Sequence, residues 1–316
     1  MEKTNPPLMM NLSVVRHHFT KAAAQYDEAA VLQKLTAEEL DQRLDLIKLD
    51  VRRVVDLGAG TGFLTEKLWE RYPQALVSAV DLSHAMLSRA RFRCKQKRDH
   101  QAWWSRWLSP SAKVCFIQAN AYSLPFADAS QDLVVTNFML QWCDDLDAVL
   151  TQIRRVLRPE GLLMLSSLGP DTLKELRKAW VAVEGEAGHS RLSPFVDMHD
   201  LGDALVRAGF GQPVMDVERY TLTYAKPIDV IRDLKAIGAT NAQQQRSRFL
   251  TGKNKFNRML GEYEQSRKEG KIPATFEVVH GHAWAAQEVF KGPSRDKKGV
   301  VNITLDELQN QLKSRS

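Results

Sequence analysis

The sequence predicts an α/β fold: an open, mostly parallel sheet of seven strands with helices on both faces. Two observations carry this expectation. Short apolar, β-branched runs alternate with helix-length runs through the first half of the chain, the pattern of parallel strands joined by crossover helices. The first such run, Val54–Thr65, reads V-V-D-L-G-A-G-T-G-F-L-T. An apolar run, an acid and three glycines at alternate positions make a strand, a tight turn and a helix start.

The elements follow in order. Residues 13–26 set Val15, Phe19, Ala22, Ala23 and Tyr26 at helical spacing, and a second helix is expected over Ala29–Leu46. Arg53–Leu57 is the first strand, apolar on both faces as a central parallel strand must be. Thr61–Tyr72 is the first crossover helix. Leu76–Val80 is the second strand, and Ser83 caps the helix after it. Val114–Gln118, Gln131–Asn137 and Gly161–Leu168 are strands three to five, with a helix over Asp145–Leu157. Asp200–Ala208 is a helix stopped by Gly209. Val214–Tyr224 alternates as a strand, with a slip after Val214 that reads as a bulge. Basic helical sequence follows at Ile228–Gly238 and Asn254–Lys268, and Thr275–Trp284 is the last strand. A positively charged helical insertion therefore sits before the final strand. The expected domains are a helical lid (1–48), the sheet core (49–225), the insertion (226–273), the last core strand (274–286) and a polar, flexible tail (287–316) with a weak helix at Leu305–Leu312.

The glycine spacing narrows the chemistry. A dinucleotide fingerprint counted from Gly58 needs a glycine at position 63, where Phe63 stands. No Lys-Ser/Thr follows the glycines, which excludes a P-loop. The turn therefore suits a nucleoside without a pyrophosphate, one carrying a cation for Asp56. Asp81 lies twenty-one residues after Gly60, at the end of strand two, where a carboxylate accepts both hydrogen bonds of a ribose diol. Asn120-Ala121, after strand three, offers a short polar group for an adenine amino group and a small neighbour for the ring, or simply makes a turn.

Composition sets limits. Cys94, Cys115 and Cys143 are odd in number and form no C-x-x-C pair, so no disulfide framework or zinc site is expected and a reducing cytoplasm fits. No apolar run reaches the length of a membrane span, and the N-terminus has neither the apolar core of a signal peptide nor the Arg-rich character of a transit peptide. The net charge of +6 is uneven. Residues 89–107 hold seven bases against one acid, and residues 226–271 eleven against five. Two basic patches suit an acidic partner, or are simply solvated faces. His280-Gly-His282 places two rings on one strand face with no evident third ligand, so no metal is expected.

With these residues identified, V-D-L-G-A-G-T-G, A-V-D-L-S and N-A-Y-S-L-P-F resemble the first motif, second motif and adenine loop of class I S-adenosylmethionine-dependent methyltransferases, whose sheet is Rossmann-like. Asn120 departs from the usual Asp of that loop. It keeps a hydrogen-bonding oxygen and loses the charge. The resemblance assigns S-adenosyl-L-methionine to Asp56, Gly58, Ala59, Gly60, Asp81, Leu82, Met86, Asn120, Ala121 and Asn137. The methionine carboxylate would suit the helix N-terminus, and its ammonium Asp56. Five further segments, from Phe19–Asp27 through Asn137–Trp142, Leu168–Leu176 and Arg232–Asn241 to Phe249–Thr251, are similar to the malonyl-[acyl-carrier protein] O-methyltransferase family of biotin synthesis. The likeness spans about residues 14 to 285. Its most specific part is Ile237-Gly-Ala-Thr240, outside the generic core. It implies an acidic acyl-carrier protein bearing a malonyl group as partner.

A malonyl carboxyl, with a pKa near about 4, is already ionised at neutral pH. It needs no general base, only in-line placement, worth ~7–11 kcal/mol, and something positive to orient it. Arg232 and Lys235, i and i+3 on the insertion helix, are the candidates, or form a solvated basic face. Tyr26 closes over the cofactor as part of the lid, or is a helix-packing aromatic, and Gln141 sits beside the acceptor's entry. Trp142 reads as core. Similarity to a respiratory complex I assembly factor that hydroxylates a protein arginine leaves that activity as an alternative, beside a non-catalytic cofactor-binding module. Nothing resembles a base-flipping or RNA-recognition motif despite Trp103, Trp104 and Trp107.

Overall fold

The computed structural model describes residues 10–100, 113–242 and 251–286. Seven strands form one sheet in the order β3-β2-β1-β4-β5-β7-β6. They are β1 (Arg53–Leu57), β2 (Leu76–Asp81), β3 (Lys113–Gln118), β4 (Gln131–Asn137), β5 (Leu157–Leu168), β6 (Phe210–Tyr224) and β7 (Ile272–Ala285). The first five run parallel; β7 enters antiparallel between β5 and β6. β1 lies at the switch point, flanked by β2 and β4, so its C-terminal end opens into the crevice that open α/β sheets use for ligands.

Successive residues of β1 serve opposite faces, as strand geometry demands. Val55 joins Val134, Leu163 and Val279 against α6 (Leu146–Val156) and α8 (Met198–Arg207) through Leu150, Ile153, Leu201 and Leu205. Val54 joins Val77, Leu133 and Leu162 against α3 (Val31–Arg43) and α4 (Phe63–Arg71) through Leu40, Leu64 and Leu68. A third core lies beyond the sheet's edge. There α7 (Lys174–Glu184), α9 (Pro227–Ala236) and α10 (Lys253–Glu264) bury Leu176, Trp180, Val230, Met259 and Tyr263 against the overhanging β7 residues Ile272, Ala274 and Phe276. The helical insertion thus stands on a long β6–β7 ribbon, above the C-terminal ends of the parallel strands.

Three sequence expectations change. The first helix stops at Ala22 as α1 (Leu12–Ala22), and a separate turn of helix, α2 (Tyr26–Ala29), redirects the chain. The helix α7 was not anticipated; Leu173 before it is left-handed, with φ 54°, so no capping residue announces it. The β6 slip lies earlier than read, between Gly211 and Val214, and pairing from Val214 to Tyr224 is continuous. Strands one and four have the predicted bounds. The expected tail after Gln287, the tryptophans at 103, 104 and 107 and most of Phe249–Thr251 lie outside the described residues.

The turn between β1 and α4 depends on close packing. Gly62 has φ +82°, and a Cβ there would stand 2.7 Å from Ala90 Cβ on α5 (His84–His100). Gly62→Ala combines a left-handed side-chain penalty of ~1–2 kcal/mol with overpacking of ~1–3 kcal/mol. A loss of roughly 2–5 kcal/mol in urea unfolding is expected; an unchanged midpoint contradicts the packing.

Candidate functional site

Asp81 joins the glycine turn to the second strand. Its Oδ2 accepts the Gly60 N–H at 2.9 Å and its Oδ1 the Ser83 N–H at 2.7 Å. The N–H groups of Gly58 and Ala59 donate to the Val80 carbonyl at 2.8 and 3.0 Å. Burial raises the Asp81 carboxyl, while the backbone donors at Ser83, Gly60 and Leu82 pull it down. Each oxygen keeps a lone pair beyond its backbone bond. A Cβ built on Gly60 would meet nothing within 4 Å, so the turn presents bare backbone to open space.

Asp56, one turn deeper, is 1% exposed. Its Oδ2 accepts the Thr65 hydroxyl at 2.5 Å. Burial lifts its carboxyl to about 7, against the pull of Thr65. A buried carboxylate held this way favours a cation arriving beside it.

The open space is a cavity of about 350 Å³ running from the glycine turn to the underside of the insertion. A smaller one of about 40 Å³ adjoins it at Asp56, Ala59 and Thr61. The large cavity brings together Tyr26, Gly58, Gly60, Asp81, Leu82, Asn120, Ala121, Asn137, Gln141 and Lys235 from the sequence reading. Asp56 and Ala59 reach the small one. Two residues expected in the site are not in it. Met86 is 1% exposed and buried against Ala22 and Ala23 of α1. Arg232 points to solvent, its side chain 70% exposed and bonded to Asp229 at 2.8 Å. The i, i+3 relation with Lys235 did not turn both side chains to the cavity.

Other assignments are refined. The Asn137 side chain is committed to structure: Oδ1 accepts from Thr36 and Ser166 at 2.9 and 2.6 Å, and Nδ2 donates to the Gln33 carbonyl at 2.9 Å. It pins α3 to β4 and β5. Asn120 Oδ1 accepts the Tyr122 N–H at 3.1 Å, shaping its own turn. Trp142, read as core, lines the cavity and meets Phe19 edge-on at 5.2 Å. The Gln141 Oε1 is buried with no hydrogen-bond partner among the described residues. His280 gains the neighbours that the sequence did not show: Glu39 Oε2 stands 3.1 Å from its Nε2. Glu218 is held by Arg43 and by Tyr220, which also bonds Glu39. That network staples α3 to the β6–β7 ribbon.

The lid closes the cavity through contacts invisible in the sequence. Asp27 of α2 accepts the Thr61 hydroxyl and the Arg93 Nη2, each at 2.5 Å, and Arg93 Nε donates to the Thr61 carbonyl at 3.0 Å. Thr20 bonds Ser83 at 2.9 Å. On its other side the lid meets the insertion. His18 Nδ1 lies 2.6 Å from Thr240 Oγ1, and Gly238 approaches so closely that a Cβ would stand 3.2 Å from Ala22. Tyr26 faces the cavity from this lid, its hydroxyl raised above its ordinary value by burial and by the charges of Asp81 and Asp27. Three charged side chains line the large cavity among the described residues: Asp81 at the glycine turn, and Arg191 and Lys235 beneath the insertion.

A family model described as a methyltransferase domain matches residues 55–165. A malonyl-[acyl-carrier protein] O-methyltransferase of Laribacter hongkongensis is 47% identical over 273 residues, covering 86% of this chain and 89% of the relative. The crystal structure of the YcgJ protein of Bacillus subtilis shares the fold at TM-score 0.53 and 15% identity, covering 79% of this chain and 99% of that one. A phosphoethanolamine N-methyltransferase of Haemonchus contortus, solved with S-adenosyl-L-methionine, aligns at TM-score 0.50 and 18% identity, covering 85% of this chain and 57% of that one.

The raised Asp56 carboxyl has a pH signature. In the folded chain it holds its proton up to about 7, and in the unfolded chain only to its ordinary 3.8. Its contribution to stability is full below the lower value and is lost as pH rises through the upper one. In urea titrations of the ligand-free protein, Asp56→Asn should therefore gain on the native chain as pH climbs from 5 to 8. A constant difference across that window contradicts a buried, ionisable Asp56.

Proposed function

The chain belongs to the malonyl-[acyl-carrier protein] O-methyltransferase family, and on that premise we propose that it methylates the free carboxylate of a malonyl thioester carried by acyl-carrier protein. This is an early step of biotin synthesis in the cytoplasm, with S-adenosyl-L-methionine as donor. The carrying observation is one cavity with the Asp81-braced glycine turn at one end and cations at the other. The arginine hydroxylase alternative is not favoured by the 47% identity over most of both chains.

The donor fits the residues present. Asp81 has free lone pairs for a ribose diol, Gly60 leaves the backbone bare, and Asp56 awaits a cation. Asn120, Ala121, Leu82 and Tyr122 line one stretch of the cavity and would flank the adenine there. The N-terminus of α4 favours a carboxylate. When bound, S-adenosylmethionine supplies a sulfonium methyl whose C–S bond breaks as the acceptor oxygen takes the carbon, leaving a neutral ester and a neutral thioether.

The chain's own task is to place and to dry. An ionised carboxylate brings its own electron pair, so no side chain has to remove a proton. Two opposite charges cancel in this reaction, and water would stabilise them before they did. Phe138, Leu168, Leu176, Trp180, Phe195 and Phe276 give the cavity an apolar wall, which withholds that stabilisation. Tyr26 and the described lid helices close one side, and α9 with residues 237–242 caps the other. Gln141 supplies an unused acceptor beside the entry. The insertion's surplus of bases suits an acidic carrier protein. Lys235, with no ion-pair partner among the described residues, stands where the substrate arm would enter.

Purified protein incubated with methyl-labelled S-adenosylmethionine and malonyl-carrier protein should place base-labile label on the malonyl group. No transfer at any enzyme concentration removes this reading. Arg232→Ala should keep turnover and cofactor affinity within about twofold of the native protein, since its guanidinium faces solvent; a loss of a hundredfold would restore it to the site.

A further inference from the structure

We propose that Arg191 is the group that binds the acceptor's carboxylate. The inference rests on the malonyl reading above and fills the place that Arg232 leaves empty. Arg191 ends the 3-10 helix Gly185–Arg191 that follows α7 and lines the large cavity. Its side chain is 21% exposed, unlike the solvated Arg232. Four contacts fix it. Its Nε donates to Glu184 Oε2 at 2.6 Å, and its Nη2 donates to the other Glu184 oxygen. Its Nη1 donates to Thr251 Oγ1 at 3.1 Å. The guanidinium lies over the Trp180 ring, 4.8 Å from its centroid.

A guanidinium carries five N–H donors, and these bonds use three. Two remain, on a planar group already immobilised, which is what recognition of a carboxylate requires. The charges point the same way. Glu184 is bonded to Arg191 and also to Lys255 at 3.0 Å. Arg191, then Lys255, hold its carboxyl down at about 2. Glu184 thus answers two cations, Arg191 at the cavity and the half-exposed Lys255 outside its lining. The loop itself is fixed. A Cβ on Gly188 would stand 2.6 Å from the Trp180 backbone, and Asn241 Nδ2 donates to the Ser190 carbonyl at 2.9 Å. Asn241 ends the insertion segment that also latches the lid, so lid, insertion and Arg191 are set by one stretch of chain.

A rigid Arg191 binds the ionised malonyl group and loses its partner when that group becomes a methyl ester. It therefore selects a substrate with a free carboxylate and favours departure of the product.

Arg191→Gln alone leaves Glu184, with a side chain 8% exposed, short of a partner, so the test uses Arg191→Gln/Glu184→Gln beside Arg191→Lys. Thermal unfolding and cofactor affinity serve as folding controls. The native protein should bind malonyl-carrier protein at least tenfold more tightly than acetyl-carrier protein, which lacks the carboxylate. In the double variant the KM for malonyl-carrier protein should rise tenfold or more and the malonyl preference should vanish, with cofactor affinity within about twofold. Arg191→Lys, which keeps the charge without the fork, should recover part of both. If the native protein transfers methyl to malonyl-carrier protein and the folded double variant keeps its KM and its preference, the assignment of Arg191 is overturned alone. If the native protein transfers none, the malonyl reading falls and this proposal with it.

Discussion

The Asp81 carboxylate is the interaction on which the site depends. One oxygen holds the glycine turn through the Gly60 N–H and the other holds the start of the next helix through the Ser83 N–H. Two loops leaving neighbouring parallel strands would otherwise diverge, since nothing in a parallel ladder continues past the strand ends. A charge-assisted bond to backbone N–H groups is stronger than a neutral one. The lid reuses this junction: Thr20 bonds Ser83, and Asp27 bonds Thr61 one residue after Gly60. The lid therefore docks on a turn whose shape Asp81 sets.

Lid and insertion close the cavity together. The lid meets the Ser83 turn through α1 and the glycine turn through α2 on one side, and α1 meets residues 237–242 of the insertion on the other, through His18–Thr240, the Gly238 approach and the bond from the Asn11 N–H to the Ala242 carbonyl. Opening the lid by itself breaks both sets of contacts, and lifting the insertion breaks one. The Ile237-Gly-Ala-Thr240 segment, the most specific sequence feature of the insertion, is thereby explained. Gly238 lets the backbones of α1 and the insertion come together, and Thr240 supplies the hydrogen bond.

Much of this architecture was legible because its causes are local. β1, the glycine turn and Asp81 lie within about thirty residues, and each has a mechanism readable from spacing: an apolar strand, glycines for a left-handed turn, an acid at the next strand end. The insertion was legible from the return of strand alternation after basic helical sequence. The acceptor side was not. Arg232 and Arg191 are both arginines in charged surroundings, and only packing decides that one meets Asp229 in water while the other is stacked on Trp180 and gripped by Glu184. Met86 was placed by motif position, yet helix α5 turns it to Ala22 and Ala23 instead. Helix α7 begins after a left-handed Leu173 in place of a capping side chain. Its start is fixed by tertiary bonds, with the Leu173 N–H donating to the Thr275 carbonyl and Glu175 accepting from Thr275.

The distribution of charge along the cavity ties the fold to the chemistry. Carboxyl groups, Asp56 and Asp81, stand at the sheet end, where a donor bearing an ammonium and a sulfonium would lie; cations, Arg191 and Lys235, stand under the insertion. Apolar side chains from α7, α9 and β7 fill the interval. In a medium of low dielectric such separated charges act over longer distances than in water. The donor is thus held from the sheet end and the acceptor from the cation end, and transfer requires the acceptor's carboxylate oxygen to reach the methyl between them. A wall with more polar groups would bind each reactant's charge more tightly and raise the cost of cancelling it. A wall with none would bind neither. The acids come from the ends of β1 and β2, Arg191 from the turn after α7 and Lys235 from α9, so the charge pattern joins the sheet to both the α7 region and the insertion.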